Sequence, residues 1–365
     1  MKITFPHMGN MYIPIKGLLE YLDLNVVTPP FSSQKTLELG VKYSPEFACL
    51  PLKLNLGNFI EARELGADTM IMAGGVGPCR FGLYAQVERE ILQELGYNYE
   101  TLVLEPPDKH LGQFIGRLRK IIGTNSWWRV IEAIKFAFTK SCAVDLVEQN
   151  VQFLRPREKK QGTVDSIYQH ILKTLDYAQS YQSLEEVKNI GLLKLQQVPM
   201  RDNDEVIRIG LIGEIYTLLE PFTNLDIEKE LGKMGVEVTR SIYLSQWINS
   251  HLLMNYSKQV TVKPFSDLAK PYLNYFVGGH GRETVGYAVG FAKERYDGLV
   301  QIAPLTCMPE IVAHNILPKV KEDWNIPIMT MYVDEQSGKA GLITRLEAFV
   351  DLIRRKNALN RRLAK

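Results

Sequence analysis

The stretch Thr69-Met70-Ile71-Met72-Ala73-Gly74-Gly75 decides the fold class. A short apolar run that stops at two glycines is typical of a parallel strand that enters a loop. Residues 57–65 before it and residues 84–95 after it have helical spacing, and residues 99–104 resemble a further strand. This β-α-β-α-β order predicts an α/β fold, in which a parallel sheet carries helices on both faces.

The later part of the chain shows a similar alternation. The run Ile207-Arg208-Ile209-Gly210-Leu211-Ile212-Gly213 is typical of a strand that ends at a glycine. Further strands are predicted at residues 236–239, 298–303 and 328–333, and helices at residues 227–234 and 346–354. We therefore expect a second α/β domain.

The residues between these two patterns are helical in spacing. Apolar side chains recur there at helical intervals, most clearly Phe114, Leu118, Ile121, Val130, Ile134 and Phe138. The sequence therefore predicts an N-terminal α/β domain at residues 1–110, a helical region at 111–205 and a C-terminal α/β domain at 206–365.

Composition narrows the class of protein. The chain has 365 residues, of which 45% are hydrophobic and 23% charged, and its formal net charge of +2 gives no reason to expect a nucleic-acid partner. No signal peptide opens the sequence, and no apolar run approaches the roughly 18 residues needed to span a bilayer. We therefore expect a cytoplasmic protein without a membrane partner. Four cysteines in such a chain do not form a disulfide framework.

Three of the cysteines share a local context. Cys49, Cys79 and Cys307 each have a proline within two positions, and the last two follow predicted strands closely. Ligands of open α/β sheets bind at the carboxyl ends of the strands, so we expect these thiols to converge on a metal cofactor. Buried apolar cysteines are one alternative, and zinc is another, but structural zinc sites usually contain closely spaced cysteine pairs. Three thiolates without an obvious fourth partner favour an iron–sulfur cluster with one open iron.

Cys142 stands apart from the other three cysteines. It lies in Thr139-Lys140-Ser141-Cys142-Ala143, within or beside a predicted helix and without a neighbouring proline. It is either a packing residue or a fourth ligand.

Several segments carry a resemblance to a known family. They lie in the same order as in that family and spread over nearly the whole chain: residues 44–53 (SPEFACLPLK), 77–84 (GPCRFGLY), 278–284 (GGHGRET), 307–310 (CMPE) and 344–349 (TRLEAF). On these segments the sequence resembles the 2-hydroxyacyl-CoA dehydratase superfamily, above all its CoA-substrate-specific activase-related branch and the double-cubane cluster proteins.

The resemblance implies a fold, a cofactor and partners. It implies two flavodoxin-like, Rossmann-like parallel-sheet domains with a [4Fe–4S] cluster at the domain interface, held by Cys49, Cys79 and Cys307. An ATP-hydrolysing activase would donate low-potential electrons to a homodimer or to a heterodimer with a related chain, under anaerobic conditions. A CoA thioester or another small molecule would be the substrate. A double cubane needs about six cysteines from one chain; with four, a single cluster or one shared between chains is the expectation.

For several further residues the sequence allows both a functional and a purely structural interpretation. Gly278, Gly279, His280 and Arg282 precede a helix and can hold a phosphate of coenzyme A, or simply form a tight turn. Glu310 can protonate a substrate or tune the cluster, or serve only as a helix-start carboxylate. Arg80 can stabilise the reduced cluster, or form a surface salt bridge.

Two functions of different classes follow from these residues. The first is a reductase or dehydratase component that accepts ATP-driven electrons. The second is a non-catalytic electron-transfer or scaffold partner of an activase system. A CoA-binding protein without a cluster is a third possibility, and it leaves the cysteine pattern unexplained.

Overall fold

The chain forms two compact units. The structure, a computed structural model, describes residues 1–75, 77–104, 116, 119–201, 205–252, 260 and 265–363. The first unit comprises Met1–Ser141 with Gln179–Tyr181, and the second comprises Cys142–Ala178 with Gln182–Lys365. Among the described residues no helix is long and apolar enough to cross a membrane.

A four-stranded sheet organises the first unit. Its strands pair in parallel in the order β2-β1-β3-β4. They are β1 (Lys2–Thr4), β2 (Asn25–Val26), β3 (Thr69–Ala73) and β4 (Glu100–Leu104). The helices that alternate with them are α1 (Tyr12–Tyr21), α2 (Gln34–Tyr43), α3 (Leu50–Glu64) and α4 (Tyr84–Glu94). The strand predicted from the opening stretch is β3.

Helix α3 begins earlier than its sequence pattern indicated. Helical spacing was visible only from Gly57, whereas the helix starts at Leu50 with Cys49 as its N-cap. Every residue from Leu50 to Ala62 is buried. A helix that is surrounded on all sides shows no amphipathic period, so its first turns gave no periodic signal.

Two glycines bring α2 and α3 into close backbone contact. A Cβ added to Gly40 would lie 1.7 Å from the carbonyl oxygen of Lys53, and one added to Gly57 would lie 2.0 Å from that of Thr36. Thr36, near the start of α2, thus lies beside Gly57, in the middle of α3, and Gly40, nearer the end of α2, lies beside Lys53, near the start of α3. The two helices are therefore antiparallel. Since α3 leads to the amino end of β3, its first residue, and Cys49 before it, lie toward the carboxyl edge of the sheet.

The second unit contains a sheet of the same topology. Its order is β6-β5-β7-β8, again with parallel pairing throughout. The strands are β5 (Ile207–Gly213), β6 (Val236–Arg240), β7 (Gly298–Pro304) and β8 (Ile328–Val333). In both sheets the first strand lies between the second and the third, which is the flavodoxin-like arrangement. The predicted α/β class with two parallel sheets is therefore confirmed.

Helices fill the remainder of the second unit and the predicted helical region. The helices whose bounds the structure describes between the two sheets in sequence include α5 (Trp127–Leu154), α6 (Thr163–Tyr177) and α7 (Tyr181–Gln196). The helices beyond β5 are α8 (Ile215–Leu219), α9 (Ile227–Lys233), α10 (Leu244–His251), α11 (Gly281–Lys293), α12 (Met308–Asp323) and α13 (Lys339–Leu363). Helix α13 is longer than the predicted 346–354, because residues of high helix propensity such as Leu, Lys and Arg extend it beyond its buried part.

The predicted domain boundaries stay a prediction. Residues 127–141 of α5 belong to the first unit and residues 142–154 to the second. Phe114 and Leu118, which indicated the start of the helical region, lie outside the described residues. Val130 and Phe138 are buried as their spacing indicates, whereas Ile134 is 46% exposed.

Candidate functional site

Three cysteines occupy the same local position, one residue before a helix. Cys49 is the N-cap of α3, Cys307 is the N-cap of α12, and Cys79 precedes a short 3-10 helix, Arg80–Leu83, that continues into α4. The first amides of a helix have no intrahelical acceptor, and the helix dipole is positive at this end. Such a position favours a bound group that carries negative charge or accepts hydrogen bonds. The prolines that follow Cys49 and Cys307 in the sequence lie in the first turn of a helix, whereas Pro78 precedes Cys79.

Cys79 and Cys307 also occupy equivalent places in their two sheets. Each lies in the loop that follows the third strand of its unit, β3 or β7. In both sheets this strand neighbours the first strand, and chain connections leave in opposite directions there, so a crevice opens at the carboxyl edge. The prediction that both cysteines stand just beyond a strand is confirmed.

Contacts join the loops of Cys49 and Cys79 within the first unit. The phenol oxygen of Tyr84, the first residue of α4, is in hydrogen-bond contact with Cys49 Sγ. Arg80 donates a hydrogen bond from Nη1 to the carbonyl oxygen of Phe47 over 2.8 Å. Arg80, predicted to lie near a cofactor, therefore also braces the neighbouring loop.

A tight turn holds the Cys79 segment against the end of β3. A Cβ added to Gly82 would lie 2.8 Å from the carbonyl oxygen of Gly75, and one added to Gly75 would lie 3.0 Å from the Phe81 ring. The backbone on either side of Cys79 thus passes too close for larger residues. This explains why the segment is rich in glycine.

A buried carboxyl group lies on the helix that follows Cys79. Glu88 is fully buried on α4, on the same face as Tyr84 and Leu92. Among the described residues neither carboxyl oxygen has a hydrogen-bond partner. Burial raises the pKa of Glu88 well above its ordinary value, and the nearby amide of Asn55 opposes that shift only in part. Glu88 was not predicted from the sequence. The one feature that could have indicated it is that an acidic residue lies one turn after Tyr84 on an otherwise apolar helix face.

A second buried carboxyl group lies one turn beyond Cys307. Glu310 is fully buried and accepts hydrogen bonds from Thr284 Oγ1 (2.8 Å) and Gln301 Nε2 (2.9 Å). Burial raises the pKa of Glu310 to about 7, and the negative charges of Glu214 and Glu283 act in the same direction. Among the described residues Glu310 has no cationic partner. Its side chain can therefore bind or release a proton near neutral pH.

Two further groups near Glu310 were not found from the sequence. Tyr332, near the end of β8, feels the charges of both Glu310 and Cys307, which add to burial in raising its phenol pKa. Glu214 follows β5 and accepts hydrogen bonds from the amides of Tyr216 (2.9 Å) and Thr217 (3.0 Å) at the start of α8. The third and first strands of the sheet thus place Cys307 and Glu214 on the two sides of the crevice.

The predicted glycine-rich turn lies beside the Cys307 helix. Gly278 and Gly279 have positive φ angles of 88° and 44°, a conformation that favours glycine. A Cβ added to Gly281 would lie 2.4 Å from the carbonyl oxygen of Pro309. The predicted turn before a helix is confirmed, and within the second unit it packs against the start of α12.

Two polar side chains of this turn, His280 and Arg282, have protein partners. His280 Nε2 accepts a hydrogen bond from the indole nitrogen of Trp247 over 3.1 Å. Burial lowers the pKa of His280 to about 4, and His251 contributes to this, so His280 is neutral at physiological pH. Arg282 lies 3.8 Å from Asp267. A phosphate-binding role of this turn stays a prediction.

The four cysteines are divided between the two units. Cys49 and Cys79 belong to the first unit, whereas Cys142 and Cys307 belong to the second. Cys142 is half-buried in the interior of α5 and is not at a helix start. In the part of the chain that the structure describes, no group of three or more His, Cys, Asp or Glu side chains is placed to hold a metal ion. The convergence of the three cysteines stays a prediction.

Comparison with known proteins adds no family assignment. A scan against models of protein families gives no match, and a search of curated proteins gives no significant match.

Proposed function

We propose that this chain is an iron–sulfur protein of the 2-hydroxyacyl-CoA dehydratase type. It accepts low-potential electrons from an ATP-hydrolysing activase and serves reductive chemistry at an open cluster iron. The observation that carries the proposal is that Cys49, Cys79 and Cys307 each stand one residue before a helix. A dimer of this chain, or of this chain with a related one, is part of the proposal.

The donor chemistry of these residues fits an iron–sulfur cluster. Thiolates are the soft ligands that iron–sulfur clusters require, and helix N-termini stabilise their negative charge. The amides of the first helical turns can donate hydrogen bonds to sulfur, which raises the reduction potential of such a centre. When bound, the cluster supplies one-electron reduction and an open iron as a Lewis acid.

The residues around Cys307 supply the proton chemistry in this proposal. Glu310 takes up and releases a proton near neutral pH, because it is buried without a cationic partner among the described residues. Reduction of a carbonyl or loss of a hydroxyl group needs a proton donor, and a carboxyl group with a pKa near the working pH is efficient in that role. Arg80, in the other unit, offers a positive charge beside Cys79. The glycine turn at Gly278 and Gly279 offers backbone amides to a CoA phosphate.

Anaerobic purification of the full chain tests the cofactor. Iron and acid-labile sulfide should co-purify, and the dithionite-reduced protein should give the EPR signal of a paramagnetic cluster. The changes Cys49→Ser, Cys79→Ser and Cys307→Ser should each lower the iron content, whereas Cys142→Ala serves as a matched control that keeps it. A folded protein that binds fewer than about two irons per chain after anaerobic reconstitution would exclude the cluster.

A second experiment separates an enzyme from an electron carrier. The reconstituted protein, with an activase, ATP and reductant, is offered short 2-hydroxyacyl-CoA thioesters, and the formation of enoyl-CoA is followed. Product formation that is lost in Glu310→Gln with unchanged iron content would support the enzyme. Reduction of the cluster without any turnover would favour the electron-transfer partner.

A further inference from the structure

A line of hydrogen bonds extends from Glu310 to the half-buried His314. Gln301 donates from Nε2 to Glu310 Oε2 over 2.9 Å and to the backbone carbonyl oxygen of Glu310 over 3.1 Å. It accepts at Oε1 from Thr330 Oγ1 over 3.0 Å. Thr330 Oγ1 lies 3.0 Å from His314 Nδ1. The four residues come from β7, β8 and two turns of α12, and all belong to the second unit.

The direction of each hydrogen bond in this line follows from counting protons. Thr330 has a single hydroxyl proton and donates it to Gln301, so His314 Nδ1 must be the donor to Thr330. The same hydroxyl bond occupies Gln301 Oε1 and thereby keeps the amide nitrogen turned toward Glu310. All donors therefore point to the carboxylate, which stabilises its ionised form.

The surroundings of Glu310 oppose ionisation. Glu214 from the start of α8 and Glu283 from α11 contribute negative charge, and burial adds to their effect. Cys307, in the turn before α12, and Tyr332, on β8, are further titratable groups near this carboxyl, and His314 lies one turn further along α12. Thr284 supplies one neutral donor from α11. Glu310 thus accepts hydrogen bonds from two side chains, Thr284 and Gln301, and both bonds favour its ionised form.

We propose that Gln301, Thr330 and His314 are positioning residues that set the proton affinity of Glu310. If Thr330 or His314 is lost, one of the contacts that fix the Gln301 amide is removed, and only the backbone carbonyl of Glu310 still favours the orientation of its nitrogen. The amide then presents its oxygen to the carboxyl group more readily. A carbonyl oxygen accepts from a protonated carboxyl and repels a carboxylate. Loss of either residue therefore favours the protonated form of Glu310.

The test measures the protonation of Glu310 directly, by infrared spectroscopy on the full chain. The carbonyl stretch of the protonated carboxyl is assigned by its loss in Glu310→Gln, and its amplitude is followed against pH. We expect the midpoint to rise by about half a pH unit in both Thr330→Val and His314→Phe. Because both changes act through the same amide, the double variant should show no larger shift than the single ones.

Thr284→Val is the matched control. It removes the other donor to Glu310, so its shift should add to that of Thr330→Val. Unchanged midpoints in folded Thr330→Val and His314→Phe, or shifts of those two that add in the double variant, would overturn the proposal. Should Thr330→Val fail to fold, His314→Phe and His314→Gln, both at a half-buried position, decide the question alone. The readout needs no metal, so its outcome is independent of the iron–sulfur proposal.

Discussion

Arg80 reaches across to the loop of the preceding cysteine and donates a hydrogen bond to the backbone carbonyl of Phe47 over 2.8 Å. Arg80 follows Cys79 and Phe47 precedes Cys49 by two residues, so this bond ties the two cysteine loops together. Arg80 is the neighbour of Cys79 in sequence, but its side chain holds the backbone of the loop that carries Cys49.

Arg80→Ala should loosen the Cys49 loop. The lost hydrogen bond is solvent-exposed and worth about 0.5–1 kcal/mol, so amide hydrogen exchange in residues 46–49 should become about two- to fivefold faster. Arg89→Ala, on the exposed face of the following helix, is the control and should leave these rates unchanged. Equal exchange in all three proteins would show that Arg80 does not brace the loop.

Glu88→Gln should stabilise the protein at high pH. The pKa of Glu88 is raised in the folded state above its ordinary value of 4.5, so the folded protein holds a proton that the unfolded chain releases. The stability of the wild type therefore declines as pH rises above that value, by about 1.4 kcal/mol per pH unit until Glu88 ionises in the folded state. Urea denaturation between pH 5 and 8 should show a smaller decline in the variant.

Glu90→Gln is the matched control for this pH dependence. Glu90 lies exposed on the same helix, where it accepts a hydrogen bond from Gln86. Replacement of Glu90 should leave the pH dependence of the free energy of unfolding the same as in the wild type. A Glu88→Gln protein with the wild-type slope would mean that Glu88 is ionised in the folded protein.

Gly40→Ala should destabilise the first unit. The new methyl group would lie 1.7 Å from the carbonyl oxygen of Lys53, and backbone atoms cannot rotate away as a side chain does. We expect a loss of at least about 2 kcal/mol in the free energy of unfolding. Gly341→Ala is the control, since nothing lies within 4 Å of its added Cβ on α13, and it should be neutral or stabilising by up to about 1 kcal/mol.

Arg240→Ala should destabilise the second unit more strongly. Arg240 is buried, contacts Glu148, and lies 3.3 Å from Glu228, so its removal leaves two carboxylates without their cation. Breaking a buried pair in this way typically costs about 3–5 kcal/mol. Arg355→Ala, which removes an exposed pair with Asp351, should cost less than about 0.5 kcal/mol in the same urea titration. Similar losses in both variants would contradict the assignment of Arg240 as a buried counter-ion.

Local spacing was enough to predict the α/β class, most strands and the place of two cysteines. A buried parallel strand is a short apolar run that ends at glycine or proline, and such runs mark β3, β5 and β7 without any knowledge of their neighbours. Cys79 and Cys307 follow two of these runs, so their position beyond a strand could be predicted. The turn at Gly278 and Gly279 was visible for the same reason, because positive φ angles select glycine locally.

Only the tertiary structure decided which polar groups are buried and what they contact. Glu88 and Glu310 look in the sequence like ordinary helix carboxylates, and burial depends on the elements that pack over them. The donors to Glu310 come from α11 and β7, and the Gln301 amide is held by β8 and a later turn of α12. Such contacts join residues that are far apart in the chain, and their side chains leave no periodic signal. For this reason the cysteines and Glu310 could be singled out from the sequence, whereas the burial of Glu310 and its hydrogen-bond donors emerged only from the folded chain.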